Sequence, residues 1–174
     1  MGLSYEIESW DNTGNSFVWV KVPTIAIGNE SYIHIYYGNN SSVDGQDVQG
    51  VWSNGYNGVW HMNNNPEVPS GILDSLESNH GTATGSMQDS QLVESMLGKG
   101  LNFDTTNTVE LGSSSDLKPD NITLDAWVNV GVGSYYLGII SSMPGWGSGL
   151  SLQAYPNARM GAMVSGAYLN ATTT

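Results

Sequence analysis

Two acidic side chains near the start of the chain have a spacing that could support catalysis. Glu6 and Glu8 stand two positions apart in a segment where polar and apolar residues alternate. Side chains at positions i and i+2 of a strand share a face, so the two carboxylates would lie together. Carboxyl groups about 5 Å apart are typical of retaining glycosidases. The competing interpretation is a solvated strand face, and we favour it because Asp11, the next acid, opens a turn.

A second group of residues could bind a metal ion. Asp74, Asn79 and Asp104 offer oxygen atoms of the kind that calcium prefers, and calcium takes six to eight such ligands. Calcium, in a structural role, is therefore the one cofactor that we predict. The alternative is a loop of Asx turns in which Asp74 and Asn79 cap backbone groups.

Three aromatic residues suggest a binding surface. Tyr135, Tyr136 and Trp146 lie in or beside Gly-rich turns, where exposure is expected. Tyrosine and tryptophan present a flat apolar face with a polar tip, which suits the C–H surfaces of sugars. Ordinary packing at the ends of a β-sandwich is the competing account. The histidines lack the spacing of a zinc hydrolase, and we expect His61 to lie in the core.

The segments that carry these residues have the pattern of short strands. Alternating or apolar runs recur about every ten residues between polar, Gly-rich turns, and no segment has sustained helical periodicity. Residues 32–37 and 122–130 are among the clearest strand predictions. The pattern predicts an all-β protein, an antiparallel β-sandwich or jelly roll preceded by a small β domain.

Composition excludes several classes of protein. The chain has 174 residues, 16 Asp and Glu, only 4 Lys and Arg, and a formal charge of −12. Such an acidic surface argues against binding to nucleic acids or anionic membranes. No Cys is present, so disulfides and Cys zinc sites are excluded. No secretion signal is visible at the start, yet the composition suits an extracellular or cell-surface protein, which is the predicted location.

Two stretches resemble known families. Residues 3–60 resemble an uncharacterised β domain of archaeal and bacterial surface proteins, through Leu3–Asp11, Val18–Pro23, Ile35–Asn39 and Val51–Trp52. Residues 58–174 resemble the laminin-G-like, concanavalin A-like jelly roll of lectins and glucanases, through Gly58–Met62, Asp74–Ser75, Asn79–Thr82, Gly98–Asp104 and Ile122–Val128.

The resemblance implies a division into domains 1–57 and 58–174, the second lacking about the last third of its jelly roll. It also implies core positions for Trp60 and Trp127, and a loop at Asp74 where related jelly rolls often hold calcium. Laminarinase-type glucanases share this fold, but they spread their acids over a Glu-x-Asp-x-x-Glu motif, which Glu6 and Glu8 do not match.

These observations predict a non-catalytic module of the cell surface or extracellular space for adhesion or carbohydrate binding. Its partner would be a glycan or a surface protein, and no catalytic residue is assigned. One alternative is a structural subunit of a surface layer or filament, a homo-oligomer completed by strand addition from neighbouring chains. Another alternative is a glycoside hydrolase of the concanavalin A-like fold that uses Glu6 and Glu8.

Overall fold

The structure is a computed structural model in which strands dominate, so the predicted all-β class is confirmed. The structure describes residues 2–28, 30–131, 137–145, 148–155, 159–164 and 167–170. Ten strands, one α-helical turn and two short 3₁₀ turns occur among those residues. None of the helices there is long or apolar enough to cross a membrane. The chain forms two compact units, Met1–Pro119 and Asp120–Thr174.

The first unit contains six short strands in three antiparallel pairs, β1 with β2, β3 with β6, and β4 with β5. The bounds are β1 Tyr5–Ser9, β2 Phe17–Val20, α1 Val48–Val51, β3 Thr82–Thr84, β4 Leu92–Ser95, β5 Gly98–Leu101 and β6 Thr108–Glu110. The helical turn α1 packs against β1, where the N–H of Asp47 donates to the carbonyl of Tyr5 at 3.0 Å.

The pairing of β1 with β2 places the two acids of the first strand. Glu6 lies opposite Trp19, and the register shifts between Ile7 and Ser9, so that Glu8 occupies a bulge. A bulge adds a residue to one strand and re-aims the side chains beside it. Glu6 and Glu8 both contact His61, so they lie on the same side of the hairpin.

Residues 72–81 form a closed loop, which we call the Asp74 loop. Ile72 and Gly81 form an isolated bridge with two backbone hydrogen bonds, and Ile72 is fully buried. A side chain at Gly81 would lie 2.7 Å from a methyl group of Val109, so glycine allows this close approach. Trp60 and Asp74 form a second isolated bridge, beside which the N–H of Ser75 donates to the carbonyl of Val59 at 2.9 Å. This bridge brings the loop against the segment that carries His61.

The predicted boundary between residues 57 and 58 falls inside the first unit. The amide of Asn79 donates to the carbonyl of Asn57 at 3.2 Å, and side chains from both sides of the boundary share one buried network. The compact units divide after Pro119 instead. The division into two sequence families at 57/58 stays a prediction.

The second unit is a four-stranded antiparallel meander among its described residues, with strand order β10-β9-β8-β7. The bounds are β7 Leu137–Gly145, β8 Ser148–Tyr155, β9 Arg159–Val164 and β10 Ala167–Asn170. Ser151 lies opposite Met163 in the ladder, and both side chains are buried. A sandwich would require a second sheet packed on this one, so that part of the fold prediction stays a prediction.

Two of the clearest strand predictions were wrong. Residues 32–37 and 122–130 have no assigned strand. Their apolar side chains are exposed, with Tyr36 at 94% and Trp127 at 72%. A strand needs a neighbour for its backbone hydrogen bonds, and the alternating pattern supplies only the propensity. The core position predicted for Trp127 was also wrong, whereas Trp60 is half-buried and donates to the carbonyl of Asn79 at 2.7 Å.

Candidate functional site

The side chain of His61 lies between the two acids of β1. Its Nδ1 is 2.5 Å from Oε2 of Glu8, and its Nε2 is 3.2 Å from Oε2 of Glu6. The side chains of His61, Glu6 and Glu8 are 13%, 11% and 2% exposed. These three residues form a nearly buried acid–histidine–acid cluster, which we call the triad. The expectation that Glu6 and Glu8 form a solvated strand face was therefore wrong.

Four further side chains donate hydrogen bonds to the carboxylates of the triad, so that every carboxylate oxygen has a donor. The bonds are Trp52 Nε1 to Glu6 Oε2 at 2.5 Å, Ser75 Oγ to Glu6 Oε1 at 2.7 Å, Trp19 Nε1 to Glu8 Oε2 at 2.8 Å, and Asn63 Nδ2 to Glu8 Oε1 at 2.7 Å. Hydrogen bonds to an ionised acceptor are the stronger kind, and a buried charge requires such partners.

Aromatic rings enclose the imidazole of His61. The ring of Trp19 stacks on it with centroids 5.7 Å apart, and the ring of Trp52 lies 6.0 Å away. The two indoles contact each other at 5.2 Å, and Tyr56 packs edge-on against Trp52 at 5.1 Å. The indoles thus exclude water from the triad and also donate to it.

The surroundings set the charge of the triad. Burial alone would lower the pKa of His61, but its close contacts with the negative charges of Glu6 and Glu8 raise it to about 9. Burial alone would raise the pKa of Glu6, but its contacts with His61, Trp52 and Ser75 lower it below the ordinary 4.5. His61 is therefore a cation and Glu6 an anion at neutral pH.

The pKa of Glu6 does not suit the general acid of a glycoside hydrolase. A retaining glycosidase needs one carboxyl group with a raised pKa as general acid, and that of Glu6 is lowered. The oxygens of Glu6 and Glu8 are also occupied by donors. The Nε2 of His61 is close to Glu6 without hydrogen-bond alignment, so ionic attraction holds that side of the triad.

An open cleft of about 410 Å³ lies beside the triad. Its lining residues come from β1, from α1, from the segment after His61 and from the Asp74 loop. They are Glu6, Ile7, Glu8, Val48, Gln49, His61, Asn63, Asn64, Leu73, Asp74, Ser75, Glu77 and His80. Amide, carboxylate and imidazole groups share this wall with the apolar side chains of Ile7, Val48 and Leu73. The polar groups can both donate and accept hydrogen bonds.

Backbone strain accompanies the cleft. Glu77, in its wall, has a φ of 60°, and Met62, between two lining residues, has a φ of 58°. Residues other than glycine rarely adopt this left-handed conformation, and Asn or Gly would adopt it at lower cost. Such strain often accompanies functional sites. Stability alone therefore does not explain why an exposed glutamate occupies this strained position at residue 77.

Asp74 organises the loop that closes the cleft. Its side chain is 1% exposed and accepts four backbone N–H groups. Those donors belong to Val59, Leu76, Ser78 and Asn79, at 2.9 to 3.3 Å. The N–H of Asp74 in turn donates to Nδ1 of His80 at 3.0 Å. This is the turn-forming arrangement that the sequence offered as the alternative to calcium.

The three predicted calcium ligands do not form one cluster of contacts. Asn79 lies in the Asp74 loop and donates its N–H to that carboxylate at 3.0 Å. Asp104 belongs to another turn, where its Oδ1 accepts from the N–H and the hydroxyl of Thr106, both at 2.6 Å. Among the described residues, no group of three or more acidic, His or Cys side chains could hold a metal ion. Calcium binding stays a prediction.

The predicted aromatic platform, Tyr135, Tyr136 and Trp146, lies outside the described residues. Sequence reasoning did identify the pairing of Glu6 and Glu8, but not the residues around them. Those partners are 46, 55 and 69 positions away in the chain, at Trp52, Asn63 and Ser75. A single sequence carries no signal for contacts at that separation.

Comparison with known proteins gives one match. A family model described as a domain of unknown function, DUF2341, matches residues 1–65. All three triad residues and both indoles lie within this stretch, whereas Ser75 and the Asp74 loop lie beyond it. No significant match was found among curated proteins or among solved structures.

Proposed function

We propose that the protein is a non-catalytic binding module of the cell surface or extracellular space that takes a carbohydrate into the cleft beside the triad. The observation that carries this proposal is the cleft itself, a concavity on which several polar side chains converge, with strained backbone at Glu77. Binding sites for small molecules are concave and present a few convergent polar groups. Gln49, Glu77 and His80 are exposed lining residues with polar tips that could contact sugar hydroxyls.

The hydrogen bonds of the triad support the proposal. Each oxygen of Glu6 and Glu8 already accepts a hydrogen bond, and the lowered pKa of Glu6 makes that residue a poor proton donor at neutral pH. The triad instead fixes the floor of the cleft, since it joins β1 to the segment of His61 and to Ser75 of the loop. A fixed floor lowers the cost of ordering the site when a ligand binds.

A glycan array of the purified protein, run with calcium and again with EDTA, tests this function. We expect binding of at least one glycan class, and calorimetry should then show about a tenfold loss of affinity for Glu77→Gln, since a hydrogen bond to a charged group contributes about 1.5–3 kcal/mol. Glu67→Gln is the matched control, because Glu67 is exposed and does not line the cleft.

Each outcome is informative. Equal binding in calcium and EDTA would remove calcium from the binding mechanism while keeping the carbohydrate. Binding that Glu77→Gln leaves unchanged would place the site elsewhere. A folded protein that binds no glycan in either condition would contradict the proposed function.

A further inference from the structure

A separate surface of the first unit carries an apolar segment without a partner. Residues 31–37 follow the left-handed Gly28 and end at the left-handed Gly38. Within the segment Tyr32, Ile33 and Ile35 are 72%, 50% and 59% exposed. Tyr36 and Tyr37 are 94% and 79% exposed. So large an exposed apolar segment is unusual for a monomer and marks an interaction site.

The backbone of the segment is also unpaired. Within the described part of the chain, no backbone–backbone hydrogen bond involves residues 31–37. The segment is held at its end, where the ring of Tyr37 lies 6.0 Å from that of Trp10. Aromatic and β-branched residues strongly favour strands. The segment therefore has the composition of a strand and lacks only a neighbour.

We propose that this neighbour is the same segment of a second copy, paired antiparallel about a two-fold axis at His34. Residues 32–36 read Tyr-Ile-His-Ile-Tyr, which is the same in both directions. Two-fold antiparallel pairing puts Tyr32 opposite Tyr36 of the partner, Ile33 opposite Ile35, and His34 opposite itself. Like residues then meet at every position, and aromatic or β-branched cross-strand pairs stabilise a ladder.

The two faces of the paired strands differ in character. Residues 33 and 35 point to one face and residues 32, 34 and 36 to the other, since side chains alternate along a strand. One face carries four isoleucines from the two copies, and the other carries four tyrosines around the two histidines. A closed dimer follows, because an interface about a two-fold axis uses the same patch on both copies.

The exposed area of the segment is available to the dimer. A standard interface buries roughly 800 Å² on each partner. Each tyrosine can bury part of its ~150–250 Å² against its cross-strand partner. Ile25 and Ile27 precede the segment and are 76% and 101% exposed. They extend the apolar surface along the chain.

Local charge permits the pairing despite the net charge of −12 on each copy. Between Glu30 and Asp44 there is no Asp, Glu, Lys or Arg. Natural edge strands are protected from self-pairing by such charges or by proline, and neither occurs in the segment. Repulsion between the copies acts over longer distances, where salt screens it beyond about 8 Å. The dimer should therefore tighten as salt rises.

Sedimentation velocity over a range of protein concentrations, at 0.15 and 0.5 M NaCl, tests for the dimer. We expect a species of twice the chain mass of 18.6 kDa, favoured by concentration and by salt. Ile35→Lys should abolish it, whereas Val43→Lys should not, because Val43 is equally apolar and 87% exposed but lies outside the segment. Circular dichroism confirms that both variants fold.

Cysteine cross-linking tests the register. The chain has no cysteine, so each introduced thiol is unique. Residues on the two-fold axis lie within the Cα range of about 4.4–6.8 Å that a disulfide spans. His34→Cys should therefore cross-link with itself. Tyr32→Cys should not link to itself, but it should link to Tyr36→Cys when the two variants are mixed.

Three results would overturn the proposal. The first is a monomer at every concentration and salt. The second is a dimer that Ile35→Lys leaves intact. The third is equal self-cross-linking of His34→Cys and Tyr32→Cys, which would show contact without the proposed register.

Discussion

Nδ1 of His61 lies 2.5 Å from Oε2 of Glu8, whose side chain is 2% exposed. A contact of this kind is an ion pair in a region from which water is largely excluded. Breaking such a pair by removing one member costs more than removing all members, because the remaining charge stays buried. The triad is therefore a specific determinant of the structure around the cleft. Its net effect on stability depends on whether all three of its residues are present.

Removal of the central cation should destabilise the protein strongly. His61→Ala leaves Glu6 and Glu8 facing each other without the positive charge between them. We expect a loss of about 3–5 kcal/mol in the free energy of unfolding. Urea denaturation followed by tryptophan fluorescence measures this, because Trp19 and Trp52 flank the imidazole.

The control removes an exposed cation, Lys118→Ala, since Lys118 belongs to no ion pair among the described residues. Replacing all three triad residues by Gln should cost less than His61→Ala alone, because no charge then remains buried. A loss below about 1 kcal/mol for His61→Ala would contradict the account of the triad as a buried ion cluster.

The stability of the protein should depend on pH in a definite window. The raised pKa of His61 adds stability that is complete below its ordinary 6.5 and is lost as pH rises through about 9. The lowered pKa of Glu6 adds stability that is present above its ordinary 4.5 and is lost as pH falls below that value. The two contributions are both complete between about pH 4.5 and 6.5.

The expected fall between pH 6.5 and 9 is about 2–3 kcal/mol, after allowance for partial solvent screening. Urea titrations at closely spaced pH values measure it. The His61→Gln variant is the comparison, and its profile should be flat over that interval. A wild-type profile that is equally flat would show that the folded and unfolded proteins titrate alike.

Asp74 gives a test that separates turn formation from calcium binding. In Asp74→Asn an amide group replaces one oxygen, and it cannot accept from the N–H groups that the carboxylate now binds. We expect a loss of about 2–4 kcal/mol, equal with calcium and with EDTA. Thermal unfolding with calcium and with EDTA measures this loss. Asp89→Asn is the control, because Asp89 is exposed.

If calcium stabilises the wild-type protein and Asp74→Asn removes that effect, the carboxylate is a metal ligand. That result would favour the calcium expectation over the turn. The same experiment on Asp104→Asn asks whether the second predicted ligand shares the site, because Asp104 lies in a separate, exposed turn.

The sequence predicted the features that depend on local pattern. The all-β class followed from short alternating runs, and the common face of Glu6 and Glu8 followed from the period of a strand. The alternative assigned to Asp74, a capped turn, depends on three donors within five positions, which Val59 supplements from 15 positions away. Each of these features is decided mainly by residues that are close in the chain.

The features that failed or were missed depend on distant partners. Residues 32–37 have strong strand propensity, but propensity does not supply the neighbour that a ladder needs. The 13% exposure of the His61 side chain agrees with its expected core position, but no local pattern indicates its two acidic partners. Only the folded chain brings Ser75 to Glu6 across 69 positions.

Gly50 lies in α1, where this helical turn packs against β1. The carboxylate of Asp47 accepts from the N–H of Gly50 at 3.1 Å and from the hydroxyl of Ser4 at 2.7 Å. A side chain at residue 50 would overlap that carboxylate and approach the Ser4 hydroxyl to 2.6 Å. The helical turn therefore requires the absence of a side chain at this position.

Two effects oppose each other in Gly50→Ala. Alanine favours a helix over glycine by about 1 kcal/mol, but the overlap would force Asp47 from its cap, and loss of such a cap costs about 0.5–2 kcal/mol. Displacing Asp47 also removes its bond with Ser4, so we expect net destabilisation of about 1–2 kcal/mol. Chemical denaturation measures it. Gly131→Ala, with open space around the new methyl group, should be neutral. A more stable Gly50→Ala variant would show that Asp47 can move away without loss, and that α1 is not fixed to β1 through this carboxylate.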